Sequence, residues 1–253
     1  MFIGDLVWVT KTRFDLKHAA HLLAQQMRNP GPHQIHAANH VLKYLAGTRD
    51  MALEYSVPES PAGWPLQNKL ITMADSGHNH YGAPGETGVV VILNGGTVYA
   101  ATRRQTTVSK DSTEAESKAY AFASEVTVSL QDLLAEMLEV FWAPVPLRGD
   151  CSGCFKIIVN GTDRRHHAAY KKSLSYTEDK VHRALIFLDF IIRQYNDADN
   201  LCQQGTPYEH WRDRRDHMMG RNTKTHVSDT IRETQRQNHR LRQREDDSAA
   251  TAD

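Results

Sequence analysis

Ser109-Lys110-Asp111-Ser112-Thr113-Glu114-Ala115-Glu116 opens the longest periodic segment of the chain. Behind it Tyr120, Ala123, Val126, Leu130, Leu133, Met137 and Phe141 recur at helical spacing, so one face of a long helix must lie on a core. The first turn carries acid twice. Asp111 or Thr113 can cap the helix, and Glu114 or Glu116, three residues later, can close a capping box. Two further carboxylates give these acids a second meaning: Asp75 and Asp150 each end a short apolar run that reads as a strand. Carboxylates converging from strand ends and a helix start make a cation site.

Outward from this helix the pattern is mixed. Upstream, residues 70–75 read as a strand ending on an acid, and residues 89–93 as a second strand too apolar to face water on one side. Asn94-Gly95-Gly96 is a hairpin signal, and residues 97–102 form the return strand. Downstream, Pro144 and Pro146 end the helix, and residues 145–150 make a short strand. Residues 155–159 read as a helical turn, 178–195 as an apolar helix (Val181, Leu185, Leu188, Ile192), 200–204 as a weak strand and 209–219 as a polar terminal helix. Three antiparallel strands followed by helix, strand, helices, strand and helix exclude a simple doubly wound sheet.

Ahead of the sheet, residues 14–27 and 33–45 predict two amphipathic helices separated by Asn29-Pro30-Gly31-Pro32, and residues 51–56 a short strand. Three prolines between residues 57 and 65 mark a linker. The expected organisation is a helical segment over 1–56, a linker over 57–68, a sheet domain over 69–220 and a disordered tail over 221–253, which lacks aromatic residues.

In 253 residues, Lys+Arg and Asp+Glu balance at 30 each, so no global field announces a polyanion partner and any such site must be a local patch. Three cysteines, Cys151, Cys154 and Cys202, are too few for a disulfide framework and favour a reducing compartment. The apolar start lacks a basic flank, and no apolar run approaches the ~18 residues of a membrane span. The expectation is a soluble, intracellular protein, cytoplasmic or nuclear, with no membrane partner.

Several motifs in order resemble one known family. Arg103-Arg104-Gln105-Thr106-Thr107-Val108 followed by Ser112-Thr113-Glu114-Ala115-Glu116 resembles the signature of Ty1/copia retrotransposon polyproteins. Thr12-Arg13-Phe14-Asp15-Leu16 is similar to that family's Thr-Arg-Pro-Asp-Ile segment. Val41-Leu42-Lys43-Tyr44-Leu45-Ala46-Gly47-Thr48 is similar to its Leu-Arg-Tyr-Leu-x-Gly-Thr segment. The likeness covers roughly residues 4 to 220. It implies a connection segment from the end of a reverse transcriptase, then a ribonuclease H domain: an α/β, or α+β, five-stranded mixed sheet with flanking helices.

The resemblance further implies a ribonuclease H-type endonuclease that cuts the RNA strand of RNA/DNA hybrids with two Mg²⁺ ions, Mn²⁺ being an alternative. Its partners would be the hybrid and the reverse-transcriptase part of the same or a related polyprotein. Asp75 matches the family's first acid, Glu116 the helix acid in Glu-x-x-Ala, and Asp150 the acid after the fourth strand, while Glu114 takes the capping role. The family's fourth acid lies in an Ala-Asp-Ile segment after Glu-Gln-Leu; Asp213 matches by spacing, with Asp216 as the alternative. Two cations held ~3.5–4 Å apart need a fixed array of hard oxygen ligands, and such crowded acids repel one another when empty.

The chain also departs from the pattern. Ser76-Gly77-His78 replaces the usual Asp and Trp after the first acid, Gly149-Asp150-Cys151 replaces Cys-Asp-Asn, and the Lys-His-Ile-Asp segment is not recognisable at Val181-His182-Arg183-Ala184. These losses keep a second reading open, a non-catalytic remnant that folds and binds nucleic acid or a partner protein. Arg103, Arg104, Lys110 and Ser112 stand where a hybrid's phosphates would run. Cys151-Ser152-Gly153-Cys154 has redox or zinc spacing without a second pair and reads as reduced thiols. His78 and His80 flank the first acid in a loop, and His166, His167, Lys171 and Lys172 form a weak basic patch.

Overall fold

The computed structural model describes residues 2–57, 67–78, 83–137, 139, 141–160 and 171–221. Most of the expected linker, His80, the His166-His167 pair and the expected disordered tail lie outside the described residues.

The sheet is built as the alternation of its strands requires. β1 (Leu70–Gly77), β2 (Glu86–Leu93) and β3 (Gly96–Arg104) are antiparallel, with Leu70 opposite Leu93 and Leu93 opposite Gly96. The β2–β3 hairpin closes on Asn94 and Gly95, both at positive φ (51° and 85°), the geometry a tight two-residue turn needs and the reason Asn-Gly is there. α4 (Ser112–Glu136) then crosses to β4 (Val145–Gly149), which pairs parallel to β1 through Thr72↔Leu147. α5 (Ser152–Asn160) and α6 (Lys171–His182) precede β5 (Ile186–Phe190), parallel to β4. The five-stranded order is β3-β2-β1-β4-β5. α7 (Tyr208–Met218) follows two 3₁₀ turns at Arg193–Tyr195 and Asp197–Leu201.

Both faces of the sheet are covered. Leu70, Ala74, Val89 and Val91 pack with Ala119, Tyr120 and Ala123 of α4 in one core. Ile71, Met73, Val90 and Ile92 pack with Ile191, Leu201 and Met218 in the other. This is the period-2 alternation of a sheet between two helical layers. Arg214 and His217 of α7 pair with Asp199 and Asp197 respectively, fastening α7 to the second 3₁₀ turn. The N-terminal helices α1 (Phe2–Val9), α2 (Lys17–Gln25) and α3 (Pro32–Gly47) share a small core of Leu6, Leu16, Ala20, Leu23 and Val41, while Phe14 enters the sheet core beside Ile71 and Met73. No helix among the described residues is long and apolar enough to cross a membrane.

Several element assignments differ from the sequence reading: Phe2–Val9 is a helix where none is expected, and Phe141 lies past the end of α4 in a bridge with Asn68. Residues 178–195 are not one helix: α6 stops at His182, Ala184 takes a left-handed φ of 54°, and Ile186–Phe190 becomes the fifth strand. The helical spacing of Val181, Leu185, Leu188 and Ile192 is overridden because β4 needs a partner on its open edge, which an Ile-Phe-Leu run satisfies. Residues 200–204 are consequently no strand, and Asn200 and Leu201 end a 3₁₀ turn. Residues 51–56 are extended but unpaired as a strand; Glu54 and Ser56 only donate single backbone hydrogen bonds, to Met219 and Asn94.

Candidate metal centre

The start of α4 sorts its acids by hydrogen bonding. Asp111 is the N-cap, accepting from the Glu114 amide at 2.8 Å. Glu114 accepts from the Lys110 amide at 2.9 Å and pairs with Lys118 at 3.0 Å, and these donors hold its carboxyl below the usual range against the effect of its burial. Glu116, one turn in, points inward. Its neighbours are Asp75 at the end of β1 and Asp150 just past β4, and one oxygen from each of the three acids lies within 4.8 Å of the others. Oxygens bound to one cation at ~2.0–2.6 Å fall within such a span, so the three fit a single hard cation.

Local structure fixes each member. Asp75 is 1% exposed; its Oδ2 accepts from Cys202 Sγ at 2.9 Å and Gln203 Nε2 at 3.2 Å, leaving Oδ1 without a partner. Glu116 likewise keeps Oε2 buried and unpartnered. Asn196 donates to the Ala74 carbonyl at 3.0 Å and to Asp150 Oδ1 at 3.4 Å, tying the ends of β1 and β4 together. At Gly149 an added Cβ would lie 1.9 Å from Tyr120 Oη, so only glycine lets β4 run against the α4 core and deliver Asp150.

The electrostatics are those of crowded, buried acids. Burial, then the charges of Asp150 and Asp199, push Asp75 well above the usual carboxylate range. Burial, then Asp75 and Asp150, do the same to Glu116, and burial raises Asp150. Orphaned buried oxygens in a crowded, proton-holding acid nest are what a divalent cation relieves.

The structure does not bring Asp213 to this cluster. Asp213 is exposed on α7 and pairs with Arg212 at 3.3 Å, and Asp216 pairs with Arg215 at 2.6 Å. The acid whose charge bears on both Asp75 and Asp150 is instead Asp199, 1% exposed on the second 3₁₀ turn. Its signal in the sequence was Ala198-Asp199, the first two residues of the expected Ala-Asp-Ile segment, which stands ahead of Glu209 and not after it. Gln203 had a signal too: Asp199-Asn200-Leu201 is similar to the Glu-Gln-Leu ahead of the expected acid, which sets Cys202-Gln203 at the Ala-Asp position.

The expected phosphate-contacting residues sit apart from the nest. Arg103 and Arg104, exposed at the end of β3, line a 150 Å³ pocket with Thr87, Gln105 and Lys118, and Arg103 lies over the Phe122 ring at 5.1 Å. Lys110 and Ser112 are exposed at the start of α4. Gln105, buried, donates to Thr87 and to the Ala115 carbonyl and so links this basic edge to the helix that carries Glu116. Cys154 is buried and Cys151 partly so; both thiols are free.

A mixed sheet in this order, with acids ending β1 and β4 and a third on the helix between them, is the ribonuclease H arrangement. The fold is ribonuclease H-like. No protein-family model matches the chain, and no curated protein matches it. Among solved structures it is similar to the ribonuclease H1 of the halophilic archaeon Halobacterium salinarum NRC-1, at 18% identity over 53% of this chain and 94% of that one, with a TM-score of 0.40. It is also similar to the N-terminal ribonuclease H domain of Rv2228c from Mycobacterium tuberculosis, at 16% identity, 53% and 90% coverage and a TM-score of 0.42. A third is LC11-RNase H1, isolated from compost and solved in complex with an RNA/DNA hybrid, at 20% identity, 53% and 94% coverage and a TM-score of 0.43. The fold assignment rests on the strand order and register of this chain.

Proposed function

We propose that this protein is a divalent-cation-dependent endonuclease of the ribonuclease H type, hydrolysing the RNA strand of RNA/DNA hybrids. One observation carries the reading: buried, unpartnered oxygens of Asp75 and Glu116 meet Asp150 in a nest sized for a hard cation. Asp75, Glu116 and Asp150 would hold Mg²⁺, or Mn²⁺ in its place. Bound there, the cation supplies Lewis-acid polarisation of a phosphodiester and activation of the attacking water. The chain's own contribution is positional. Cys202 and Gln203 fix one oxygen of Asp75 so that the other faces the nest, and Asn196 keeps Asp150 beside it. Because these acids favour holding protons, cation binding there would strengthen as pH rises.

Arg103, Arg104, Lys110 and Ser112 would contact the hybrid's phosphates, with recognition by A-like shape and 2′-hydroxyls and not by sequence. The Ty1/copia-like motifs support placing the chain in a retrotransposon polyprotein, acting inside the cell beside a reverse transcriptase. The two-cation form of the reaction has support from three acids only, because Asp199 already accepts from Arg214, Arg193 and Thr206. That saturation favours the second reading, a folded remnant that binds nucleic acid without cutting it. A substrate panel separates the two. An RNA/DNA hybrid, duplex RNA, duplex DNA and single-stranded RNA are incubated with the protein in Mg²⁺; cutting confined to the RNA of the hybrid is expected, whereas binding without cutting establishes the remnant.

A further inference from the structure

Asp199 and the three nest acids are treated differently by the fold. Asp199 Oδ2 accepts from the buried Arg214 and from Thr206 Oγ1 at 3.1 Å, and Oδ1 accepts from Arg193 Nε at 3.1 Å. Arg214 is in turn locked by the Gln194 carbonyl at 3.1 Å and the Arg193 carbonyl at 2.8 Å. Asp199 therefore has its charge matched by an interior arginine before any cation arrives. Arg193 is not required for that balance, and its side chain is 60% exposed.

Arg193 nevertheless connects Asp199 to the nest. Its Nε holds Asp199, its Nη2 donates to Gln203 Oε1, and the amide nitrogen of Gln203 donates to Asp75 Oδ2 at 3.2 Å. The guanidinium thus links Asp199, through Gln203, to Asp75 of the nest, with the rest of its surface open to solvent. It also lines a 400 Å³ groove with Gln204, Thr206 and His210. The charges of Asp199, Asp75 and Asp150 all favour its protonated form, against the effect of burial.

We propose that Arg193 is a catalytic residue, whose guanidinium supplies against the scissile phosphate the positive charge that a second divalent cation would bring on the Asp199 side. The inference rests on the hydrolase reading above and deepens it. In the reaction a water oxygen bonds to phosphorus and gives one proton to solvent, one phosphorus–oxygen ester bond breaks, and the departing sugar oxygen takes up a proton from solvent. Arg193 remains protonated throughout and donates hydrogen bonds to the phosphate oxygens as their charge grows. A planar fork of donors suits that geometry better than a lysine ammonium.

The test uses the whole chain in wild-type and Arg193→Ala forms. Mn²⁺ bound per chain is counted by electron paramagnetic resonance, and hybrid cleavage is followed against Mg²⁺ concentration. One Mn²⁺ per chain is expected in both proteins, with a hyperbolic Mg²⁺ dependence in wild type. Arg193→Ala should lose on the order of 10²–10³-fold in kcat with little change in KM. Free guanidinium at low millimolar concentration should restore part of the rate, which a merely structural role would not allow. Two Mn²⁺ bound to the free wild type, or unchanged kcat in Arg193→Ala while wild type cleaves, overturns this inference alone. A wild type that binds Mn²⁺ but cuts no hybrid overturns the hydrolase reading and Arg193's role with it.

Discussion

Neutralising Glu116 should stabilise the metal-free protein, and the size of the effect can be worked from the nest. With acid oxygens inside 4.8 Å, two ionised carboxylates repel by about 3.5 kcal/mol or more at an effective dielectric of about 20. The native protein avoids part of this by holding protons, since Glu116 and Asp75 are pushed above their ordinary values of 4.5 and 3.8. The sign follows. The folded state binds protons that the unfolded chain releases, so stability is greatest at acid pH and falls as pH rises from about 4 through the raised folded values. Glu116→Gln removes one charge and keeps the shape; its amide meets an unsatisfied position, which returns roughly 1 kcal/mol. The net expectation is a gain of about 1–2 kcal/mol at pH 8, or roughly 2–4 °C per kcal/mol in Tm, shrinking towards pH 5. The assay is a set of thermal melts of both proteins from pH 5 to 8, in chelator and in Mg²⁺. Mg²⁺ should raise the wild-type Tm most at pH 8 and leave the variant nearly unmoved. A variant that melts at or below wild type at pH 8 in chelator, with the same pH slope, would refute the crowded-acid account.

Three further outcomes are expected. Glu114→Gln weakens the Lys118 pair and the bond from the Lys110 amide, so it should cost about 1 kcal/mol in melts while Mg²⁺ binding by calorimetry is unchanged. Asp199→Asn strands the buried Arg214 and should cost about 3–5 kcal/mol in denaturant unfolding, far more than Asp213→Asn, whose carboxylate is half exposed beside Arg212. Arg104→Ala should weaken hybrid binding without changing sequence preference, and should flatten the salt dependence of binding by about one unit of slope.

What was legible in the sequence follows physical locality. Asn94-Gly95 needs only its own backbone preference, and it set the β2–β3 register. The Asp111 cap and the start of the α4 stripe at Tyr120 and Ala123 are likewise local, whereas β1 runs two residues past Asp75 to Gly77, and Leu133 and Met137 of the expected stripe are exposed. The fifth strand was not legible, since Ile186–Phe190 satisfies helical spacing as well as strand pairing, and the demand for a strand comes from the open edge of β4, far away in sequence. The position of Asp213 away from the nest was not legible for a related reason. Asp213 and Asp199 each have one acid close before them in sequence, Glu209 and Asp197, but burial separates them, and burial of Asp199 depends on Arg214 from the following helix. The contacts of Cys202 and Gln203 with Asp75, more than a hundred positions away, depend on the fold and not on local sequence.

The most direct test of the central claim is cleavage of an end-labelled RNA/DNA hybrid by the wild type and by Asp75→Asn, in Mg²⁺ and in chelator. Asp75→Asn keeps the shape at the end of β1 and removes the charge on which the nest depends. The account predicts cutting of the RNA strand by wild type in Mg²⁺ alone, and none by Asp75→Asn, although the variant remains folded. Cutting by Asp75→Asn at the wild-type rate, or no cutting by wild type in either Mg²⁺ or Mn²⁺, would contradict it.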